Sequence, residues 1–366
     1  MDLGYRMSQR TTSSNSSNFL KILVDPSEPT VDIVAVHGLN PLDKESHAEA
    51  TWTSGGRLWL RDLLPTRAPN ARILLFGYNA NVAFRTTAAG LREQAENLLN
   101  QLDRHRAEEP SRPLIFICHS LGGLMVKRAL VHSKADETYK MIWGSTYGIV
   151  FFGTPHKGGN HAGMGDMVAK IARSILGNPN NTFMSSLKKD SQFLDTITDD
   201  FRQLLEDFQI LSFYETQPLG RLGIVVDQKS AVLGLPGTRE KQLALEANHS
   251  NICKFSCGED PRYQLVADNI IDMIESACSS QKRSSSMSSC PRGNDSSSEG
   301  QHNAVLQAGN GNACRACGNA NKTYQFGNMN NSKSDGDGNE TTQISIGAID
   351  MGSYKELFSF LNWVHS

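Results

Sequence analysis

Residues 114–123 read Leu-Ile-Phe-Ile-Cys-His-Ser-Leu-Gly-Gly, and this stretch decides the fold. Its apolar first half predicts a strand that is buried on both faces of a sheet. The two glycines open a stretch with apolar residues at helical spacing, which predicts a helix. A serine on the sharp turn between such a strand and such a helix is typical of a catalytic nucleophile. We therefore predict that Ser120 is a nucleophile.

The turn around Ser120 needs small residues two positions before and two positions after the serine, because the main chain is crowded there. Gly122 meets this need, whereas Cys118 stands where the pattern usually has glycine, and its Cβ adds strain. The alternatives are a structural turn and a phosphate cradle. No Gly-Lys-Ser/Thr sequence follows to hold a phosphate, which favours the nucleophile.

Short apolar runs alternate with amphipathic stretches from Phe19 to about Ala277. This alternation predicts an α/β fold with a mostly parallel central sheet flanked by helices. The expected strands are residues 31–36, 73–76, 114–118, 148–152, 209–214 and 222–226, with 20–24 at an edge. Two helical stretches, 164–176 and 199–208, lie between the fourth and fifth of these core strands. They predict either a helical cap over the active site or additional helical packing.

An oxyanion hole must offer fixed N–H donors to the carbonyl oxygen of a substrate. One donor is expected directly after the nucleophile, at Leu121, and the second on the loop after an earlier strand, where we choose the amide of Leu39. Gly38 lets the main chain of that loop come close. His37 and His119 are expected to support the loop and the turn rather than to transfer protons.

The general base is expected late in the chain, after both the serine and the acid. His249 is the only histidine between the last expected strand and the tail, so it is the predicted base. His156 and His161 follow the fourth strand and are weaker candidates. For His156 we favour a loop residue packed near the pocket.

Two carboxylates stand at the ends of expected strands and compete for the role of the acid. Glu215 ends the run 209–214, and Asp227 ends the run 222–226. Counting two strands forward from the serine strand selects Glu215, while Asp227 is closer in sequence to His249. We prefer Glu215 and keep Asp227 as the second choice.

Six motifs in the same order resemble one family, the serine esterases related to inositol-deacylating and phosphatidylglycerol-remodelling lipases. The motifs are residues 36–40, 118–123, 152–159, 212–216, 229–234 and 248–254, and the resemblance covers residues 19–277. It implies the α/β-hydrolase fold, a serine esterase or lipase activity, and Glu215 and His249 as acid and base. In fungi similar domains precede NACHT or NB-ARC modules, and this chain carries no such module after residue 277.

The composition changes abruptly after Ala277 to Ser, Gly, Asn and Gln. Such a sequence buries little apolar surface, so the polar residues 1–18 are expected to be disordered and residues 279–343 to be disordered or prion-like. Residues 344–366 turn apolar again and predict a short segment that docks on the domain or on a partner.

The tail also contains a short repeat of the form Gln-x-Gly-Asn-x-Asn. It starts at Gln307 and again at Gln325, a spacing of 18 residues (325 − 307). Glycine turns with amides that stack suit a cross-β or solenoid arrangement. The tail resembles the amyloid signalling motifs of fungal SesB-like hydrolases, which implies a role for residues 300–335 in self-assembly or in binding an NLR-type receptor. Cys314 and Cys317 between the repeats are weak candidates for a zinc site without two further ligands.

Composition excludes several classes of function. The formal net charge is −2 and no block of Lys and Arg occurs, which argues against nucleic-acid binding. We expect no signal peptide, because the N-terminus lacks an apolar region, and no transmembrane segment, because no apolar run reaches about 18 residues. Seven irregularly spaced cysteines favour free thiols. We therefore expect a cytoplasmic protein whose membrane contact, if any, is peripheral.

The predicted function is the hydrolysis of carboxylic esters, preferably lipid esters, through an acyl-enzyme. No cofactor or metal is expected, and the partner is a lipid or small ester substrate. The first alternative is a signalling effector in programmed cell death, activated through the tail. The second is a pseudoenzyme scaffold that keeps the fold without turnover.

Overall fold

A computed structural model describes residues 19–39, 46–78, 88–157, 163–176 and 191–288, and six short strands between residues 295 and 344. The chain divides into two units, Met1–Gln281 and Lys282–Ser366. The predicted disordered N-terminus, residues 1–18, and the apolar C-terminal segment, save for its first residue, lie outside the described residues.

The first unit contains a seven-stranded sheet with the order β1-β3-β2-β4-β5-β6-β7. Neighbouring strands are parallel except β1, which runs antiparallel to β3 at the edge. This arrangement confirms the predicted mostly parallel sheet and its edge strand. The strands are β1 (Phe19–Val24), β2 (Val31–Val36), β3 (Ala71–Gly77), β4 (Leu114–His119), β5 (Thr146–Phe152), β6 (Gln209–Glu215) and β7 (Glu240–Leu245).

Five longer helices flank the sheet: α1 (Ala88–His105), α2 (Gly122–Ala135), α3 (Met164–Leu176), α4 (Ser191–Arg202) and α5 (Pro261–Ser288). Within the described residues no helix combines the length and the apolar character that crossing a membrane requires. Shorter elements are the helices His47–Ala50, Trp59–Asp62, Leu64–Arg67, Lys140–Ser145 and Gln228–Ala231, the 3-10 turns Glu137–Tyr139, Leu205–Asp207 and Gly220–Leu222, and a hairpin of Thr53–Ser54 with Arg57–Leu58.

The inner strands, β2 to β6, contribute to two separate hydrophobic cores, because successive side chains point to opposite faces of the sheet. In β4, Leu114, Phe116 and Cys118 pack into a core shared with α1, α2, α3 and α4. Ile115 and Ile117 pack into the other core, together with α5 and the short helices near Trp59. The uninterrupted apolar sequence of β4 is therefore explained by burial on both faces.

The expected strand at residues 222–226 is wrong. Gly220–Leu222 forms a 3-10 turn, and Gly223 has a φ of 66°, a conformation that a strand does not accommodate. Val225 and Val226 are fully buried as loop residues, so their apolar character comes from core packing rather than from a strand. The strand that pairs with β6 is instead β7, which the sequence pattern missed because its edge position leaves Lys241 and Gln242 exposed.

The segment between β5 and β6 contains two described helices, α3 and α4. The second helix begins and ends earlier than the expected residues 199–208, and a 3-10 turn at Leu205–Asp207 replaces its last part. α4 packs against both α2 and α3. This contact provides helical packing on the outer side of α2, while residues 158–162 and 177–190 lie outside the described ranges.

The second unit contains two parallel three-stranded sheets, with the orders β8-β10-β12 and β9-β11-β13. Neighbouring strands are offset by 18 residues (322 − 304), as in the pairs Ala304 with Lys322 and Lys322 with Glu340. The sequence leaves disorder and a prion-like tail open for residues 279–343, and these strands pair through the main chain without the apolar burial that the composition lacks. Their bounds are Asp295–Glu299, Ala304–Ala308, Ala313–Cys317, Lys322–Phe326, Asn331–Asp335 and Glu340–Ile344, in the order β8 to β13.

Candidate active site

Ser120 sits on a strained turn between β4 and α2. Its φ is 53°, and among the described residues it is the one non-glycine residue with a positive φ. The left-handed conformation costs an L-residue about 1–2 kcal/mol. Three hydrogen bonds hold it: the Ser120 amide donates to the Phe152 carbonyl at 2.9 Å, and the Ser120 carbonyl accepts from the Gly123 amide at 3.1 Å and from the Thr154 hydroxyl at 2.9 Å. The surrounding strands therefore present the serine side chain at the carboxyl end of the sheet.

Gly122 and Cys118 occupy the two small positions of this turn. A Cβ at Gly122 would overlap the carbonyl oxygen of His37 and would lie 2.6 Å from that of Val36. Both obstacles are main chain, which cannot swing away. Cys118 is fully buried, and burial raises the pKa of its thiol well above the ordinary value, so the thiol stays neutral. Its Cβ is accommodated, whereas one at Gly122 is not.

We expect Gly122→Ala to destabilise the protein by roughly 2–4 kcal/mol, because the new methyl group overpacks the turn against the His37 loop. Gly144 in the helix Lys140–Ser145 offers a matched control, since a Cβ there meets nothing within 4 Å. Gly144→Ala should leave stability unchanged or raise it by about 0.5–1 kcal/mol. Urea unfolding of the two variants measures the difference, and equal midpoints would contradict the crowding.

His249 lies against the serine from the loop that follows β7. Its Nε2 is 2.9 Å from the Ser120 Oγ, a distance at which the hydroxyl donates to the ring nitrogen. Gly153, with a φ of 54°, packs against the ring, and a Cβ there would lie 3.1 Å from Nδ1. Ser120 and His249 are each 1% exposed, so the pair is shielded from bulk water.

Glu215, at the end of β6, faces the other nitrogen of this ring. Its Oε2 is 3.6 Å from the His249 Nδ1, longer than a hydrogen bond. Neither atom has a hydrogen-bond partner within the described part of the chain. The second oxygen, Oε1, accepts from the Val226 amide, which fixes the carboxylate. A movement of about 0.6 Å would close the contact to hydrogen-bond distance.

Asp227, the second-choice acid, is placed differently. It is the N-cap of the short helix Gln228–Ala231, where its Oδ1 accepts from the Ser230 amide at 3.0 Å. Capping of this kind is a structural task for a carboxylate. The structure therefore brings Ser120, His249 and Glu215 together and gives Asp227 another partner.

The proposed oxyanion donors, the amides of Leu39 and Leu121, belong to two buried residues beside the serine. A Cβ at Gly38 would lie 3.0 Å from the Ser120 Cβ, so the Leu39 loop runs directly against the nucleophile. Among the hydrogen bonds of the described residues, none is donated by either amide. Within the described residues, both amides are therefore open to an acceptor atom.

The neutral His37 ring holds the loop that carries Leu39 in place. Its Nδ1–H donates to the Gly38 carbonyl at 2.7 Å, and its Nε2 accepts from the Tyr78 amide at 3.3 Å. The Tyr78 ring stacks on it at 4.3 Å, and the Tyr78 hydroxyl donates to the His37 carbonyl at 3.0 Å. Burial lowers the pKa of His37 to about 3. These contacts support the expected positioning role of His37 and add Tyr78, which no sequence motif indicates.

The loop that carries His249 is held from two sides. The His119 Nε2–H donates to the His249 carbonyl at 3.0 Å, and burial keeps the pKa of His119 well below its usual range. The Trp59 indole N–H donates to the Cys253 carbonyl at 2.9 Å. Trp59 carries no sequence signal for this role. His156 is fully buried away from these contacts, and His161 lies outside the described residues.

No family model matches the chain. A comparison with curated proteins finds relatives that share the name Protein SERAC1, and a comparison with solved structures finds a group of structural neighbours. Protein SERAC1 of Bos taurus is 31% identical over 241 residues, covering 63% of this chain and 35% of that protein. Protein SERAC1 of Homo sapiens is 30% identical over 205 residues, covering 54% of this chain and 30% of that protein. The chain thus spans about a third of the length of the curated relatives it matches.

Solved structures with a similar fold have low sequence identity. The Bacillus licheniformis lipase BlEst2 has a TM-score of 0.47 at 15% identity and covers 70% of this chain and 98% of its own. The meta-cleavage product hydrolase from Pseudomonas fluorescens has a TM-score of 0.43 at 10% identity and covers 71% of this chain and 94% of its own.

The architecture itself defines the fold. Six parallel strands with an antiparallel edge strand, helices on both faces, and a serine turn between β4 and α2 occur in one continuous unit. The carboxyl ends of β4 and β6 and the loop after β7 bring Ser120, Glu215 and His249 to one place, in that chain order. The chain has the α/β-hydrolase fold.

Proposed function

We propose that the protein is a serine hydrolase that cleaves carboxylic esters through an acyl-enzyme. The observation that carries this proposal is the 2.9 Å contact between the Ser120 Oγ and the His249 Nε2 on a strained strand-to-helix turn. A buried serine beside a buried imidazole is the pair that acyl transfer requires. Glu215, 3.6 Å from the other ring nitrogen, supplies the negative charge that stabilises the imidazolium.

In the first half of the reaction, the Ser120 Oγ attacks the ester carbonyl carbon while its proton passes to the His249 Nε2. The carbonyl oxygen becomes an oxyanion, which accepts from the amides of Leu39 and Leu121. The tetrahedral intermediate collapses, the bond to the alcohol oxygen breaks, and the imidazolium returns the proton to that oxygen. The alcohol leaves, and the acyl group stays on Ser120.

In the second half, water attacks the acyl carbon while His249 accepts its proton. A second oxyanion forms in the same place and collapses, and the proton goes to the Ser120 oxygen as the carboxylic acid leaves. The residues of this chain supply all the acid–base chemistry, so the proposal needs no cofactor.

We place lipid esters first among the substrates, on the strength of the resemblance to lipid-remodelling esterases. The test is labelling of the full chain with a fluorophosphonate, followed by mapping of the modified peptide. Modification of Ser120 that long-chain esters suppress would support the proposal. The absence of any labelled serine would favour a pseudoenzyme, and suppression by short-chain esters alone would assign a simple esterase. A cytoplasmic location remains part of this proposal.

A second proposal, that the C-terminal unit mediates self-assembly in signalling, is favoured by the strand register. Gln307, Gln325 and Gln343 align across β9, β11 and β13, as expected of a ladder that identical residues extend. A second copy, or a receptor of NLR type with the same repeat, would add strands to such a sheet. Seeded, thioflavin-positive fibrils of the full chain would support this proposal. Proline at position 325 should prevent pairing of its strand, so the Gln325→Pro variant should assemble less readily than Ser120→Ala, a control variant whose substitution lies outside the C-terminal unit. Equal assembly of the two variants would contradict the proposal.

A further inference from the structure

Lys127 lies in the middle of α2, the helix that begins at the nucleophile turn, and its side chain is completely buried. The ammonium lies 5.9 Å from the centre of the Phe151 ring and 5.7 Å from that of Phe201 on α4. It has no hydrogen-bond partner among the described residues. Aromatic faces attract a cation but satisfy none of its three N–H donors.

A further buried polar side chain without a partner, His156, lies close to the same Phe151 ring, and a second, Ser230, is joined to His156 through the main chain. The His156 ring is 4.6 Å from Phe151, centre to centre, and neither of its nitrogens has a partner in the described structure. The His156 amide donates to the Ser230 carbonyl at 2.7 Å, and the Ser230 hydroxyl is likewise buried and unpaired. Three unpaired groups thus come from α2, from the segment after β5 and from the helix Gln228–Ala231.

Such a cluster is costly unless something occupies it. A buried polar group without a partner costs about 1–3 kcal/mol, and native proteins satisfy nearly all of them with protein atoms, water or ions. A protonated lysine offers three N–H donors and no acceptor, whereas a serine hydroxyl and a neutral imidazole each offer both, so donors outnumber acceptors in this group. A group that pairs with the excess donors must therefore be an acceptor.

The charges around Lys127 indicate that this acceptor is an anion rather than water. The one carboxylate that raises the pKa of Lys127 is Glu240, which weakly offsets the burial. Glu240 is already satisfied by five donors, at 2.6–3.1 Å: Ser212, Leu233, Gly234, Leu235 and Gln242. Arg202 on α4 adds positive charge. Water would satisfy the N–H donors of Lys127 but would leave its charge uncompensated.

We propose that Lys127, His156 and Ser230 form an internal site for a small inorganic anion, between α2 and the segment that follows β5. The occupant would tie this segment to α2 and to the helix Gln228–Ala231. The same two elements continue into Gly153, which packs on His249, and into Val226, whose amide holds Glu215. Binding is a property of the fold and is independent of the proposed ester hydrolysis.

The site should lose its affinity as the pH rises through neutrality. Burial lowers the pKa of Lys127 from 10.5 to about 7, with a smaller contribution from Arg202. Burial and the Lys127 charge also keep the pKa of His156 well below its usual range, with Lys157 adding to this, and the Cys118 thiol stays neutral. The protonated, anion-binding form of Lys127 is therefore present below about pH 7 and lost above it.

The test compares thermal unfolding of the full chain in sodium bromide and in sodium gluconate at equal ionic strength. At about pH 6, bromide at roughly ten to a hundred times Kd should raise the melting temperature by about 3–8 °C relative to gluconate. At about pH 8.5 this difference should shrink to within error. Equal melting temperatures in the two salts at the lower pH would overturn the proposal.

Three variants assign the effect to this site. Lys127→Met keeps the apolar stem and should abolish the bromide response, while Ser230→Ala, a milder change, should weaken bromide affinity several-fold. Lys140→Met is the matched control, because the Lys140 side chain is 60% exposed and should keep the full response. A bromide response that survives Lys127→Met would place the anion elsewhere. Anomalous density from bromide beside the Lys127 Nζ in soaked crystals would locate it directly, and a water in its place would refute the anion.

Discussion

Replacing Ser120 by alanine is expected to lower kcat by about 10⁴–10⁶-fold, while the free energy of unfolding changes by less than about 1 kcal/mol. The large loss follows because the Ser120 Oγ is the atom that forms the acyl bond and the hydrogen-bond partner of the His249 Nε2 at 2.9 Å. Stability is preserved because alanine keeps the Cβ and the three main-chain hydrogen bonds of the turn. Hydrolysis of a chromogenic ester and urea unfolding measure the two quantities.

Ser120→Gly separates catalysis from strain at the same position. Glycine adopts the φ of 53° without the cost that a Cβ carries there, so this variant should be more stable than Ser120→Ala by about 1 kcal/mol and equally inactive. Activity of Ser120→Ala within tenfold of the wild type would mean that another residue is the nucleophile. A glycine variant less stable than the alanine variant would mean that the turn is not strained.

The parts of the fold that the sequence predicted are those specified by neighbouring residues. Consecutive apolar residues predict the burial of β4, and the small residues around Ser120 predict the turn that follows it. Gly122 shows why the pattern is strict: a Cβ there would meet the main chain of the loop after β2. The position of His249 followed from chain order alone, since no other histidine stands between the expected last strand and the tail.

The parts that the sequence did not predict depend on contacts between distant residues. Tyr78 reaches His37 across 41 positions, and Trp59 reaches the Cys253 carbonyl across 194. The residues next to Tyr78 and Trp59 in the sequence do not indicate these distant partners. The strand β7 failed to stand out for a different reason, because an edge strand with exposed residues lacks the continuous apolar run by which the buried strands were found.

The tail shows the limit of composition as a predictor. Residues 279–343 have too little apolar character for a compact core, which leaves disorder and a prion-like repeat as alternatives. The strands between 295 and 344 nevertheless pair in parallel with a constant offset of 18 residues (313 − 295), the spacing of the Gln-x-Gly-Asn-x-Asn repeat. Periodicity, which survives in a polar sequence, was the more informative signal here.

The second large effect on kcat is expected when the acid of the proposed triad is replaced, which distinguishes Glu215 from Asp227. Glu215→Gln should lower kcat by about 10³–10⁴-fold, because the amide cannot stabilise the imidazolium that forms on His249 during acyl transfer. Asp227→Asn should leave kcat within a few-fold of the wild type and cost about 0.5–1 kcal/mol at most, since asparagine also caps helices well. Steady-state kinetics of the two variants on one ester gives the comparison.

These two substitutions are matched, because each exchanges a carboxylate for the isosteric amide at the end of an apolar run. A difference between them therefore reports position and not the kind of change. The larger loss of kcat is expected for Glu215 because of its location. Its Oε2 lies 3.6 Å from the His249 Nδ1, and its Oε1 accepts a hydrogen bond from the Val226 amide. If Asp227→Asn lost as much activity as Glu215→Gln, the capping contact to Ser230 would have to open during turnover. If neither lost activity, His249 would act without an acid, and the proposed triad would reduce to a dyad.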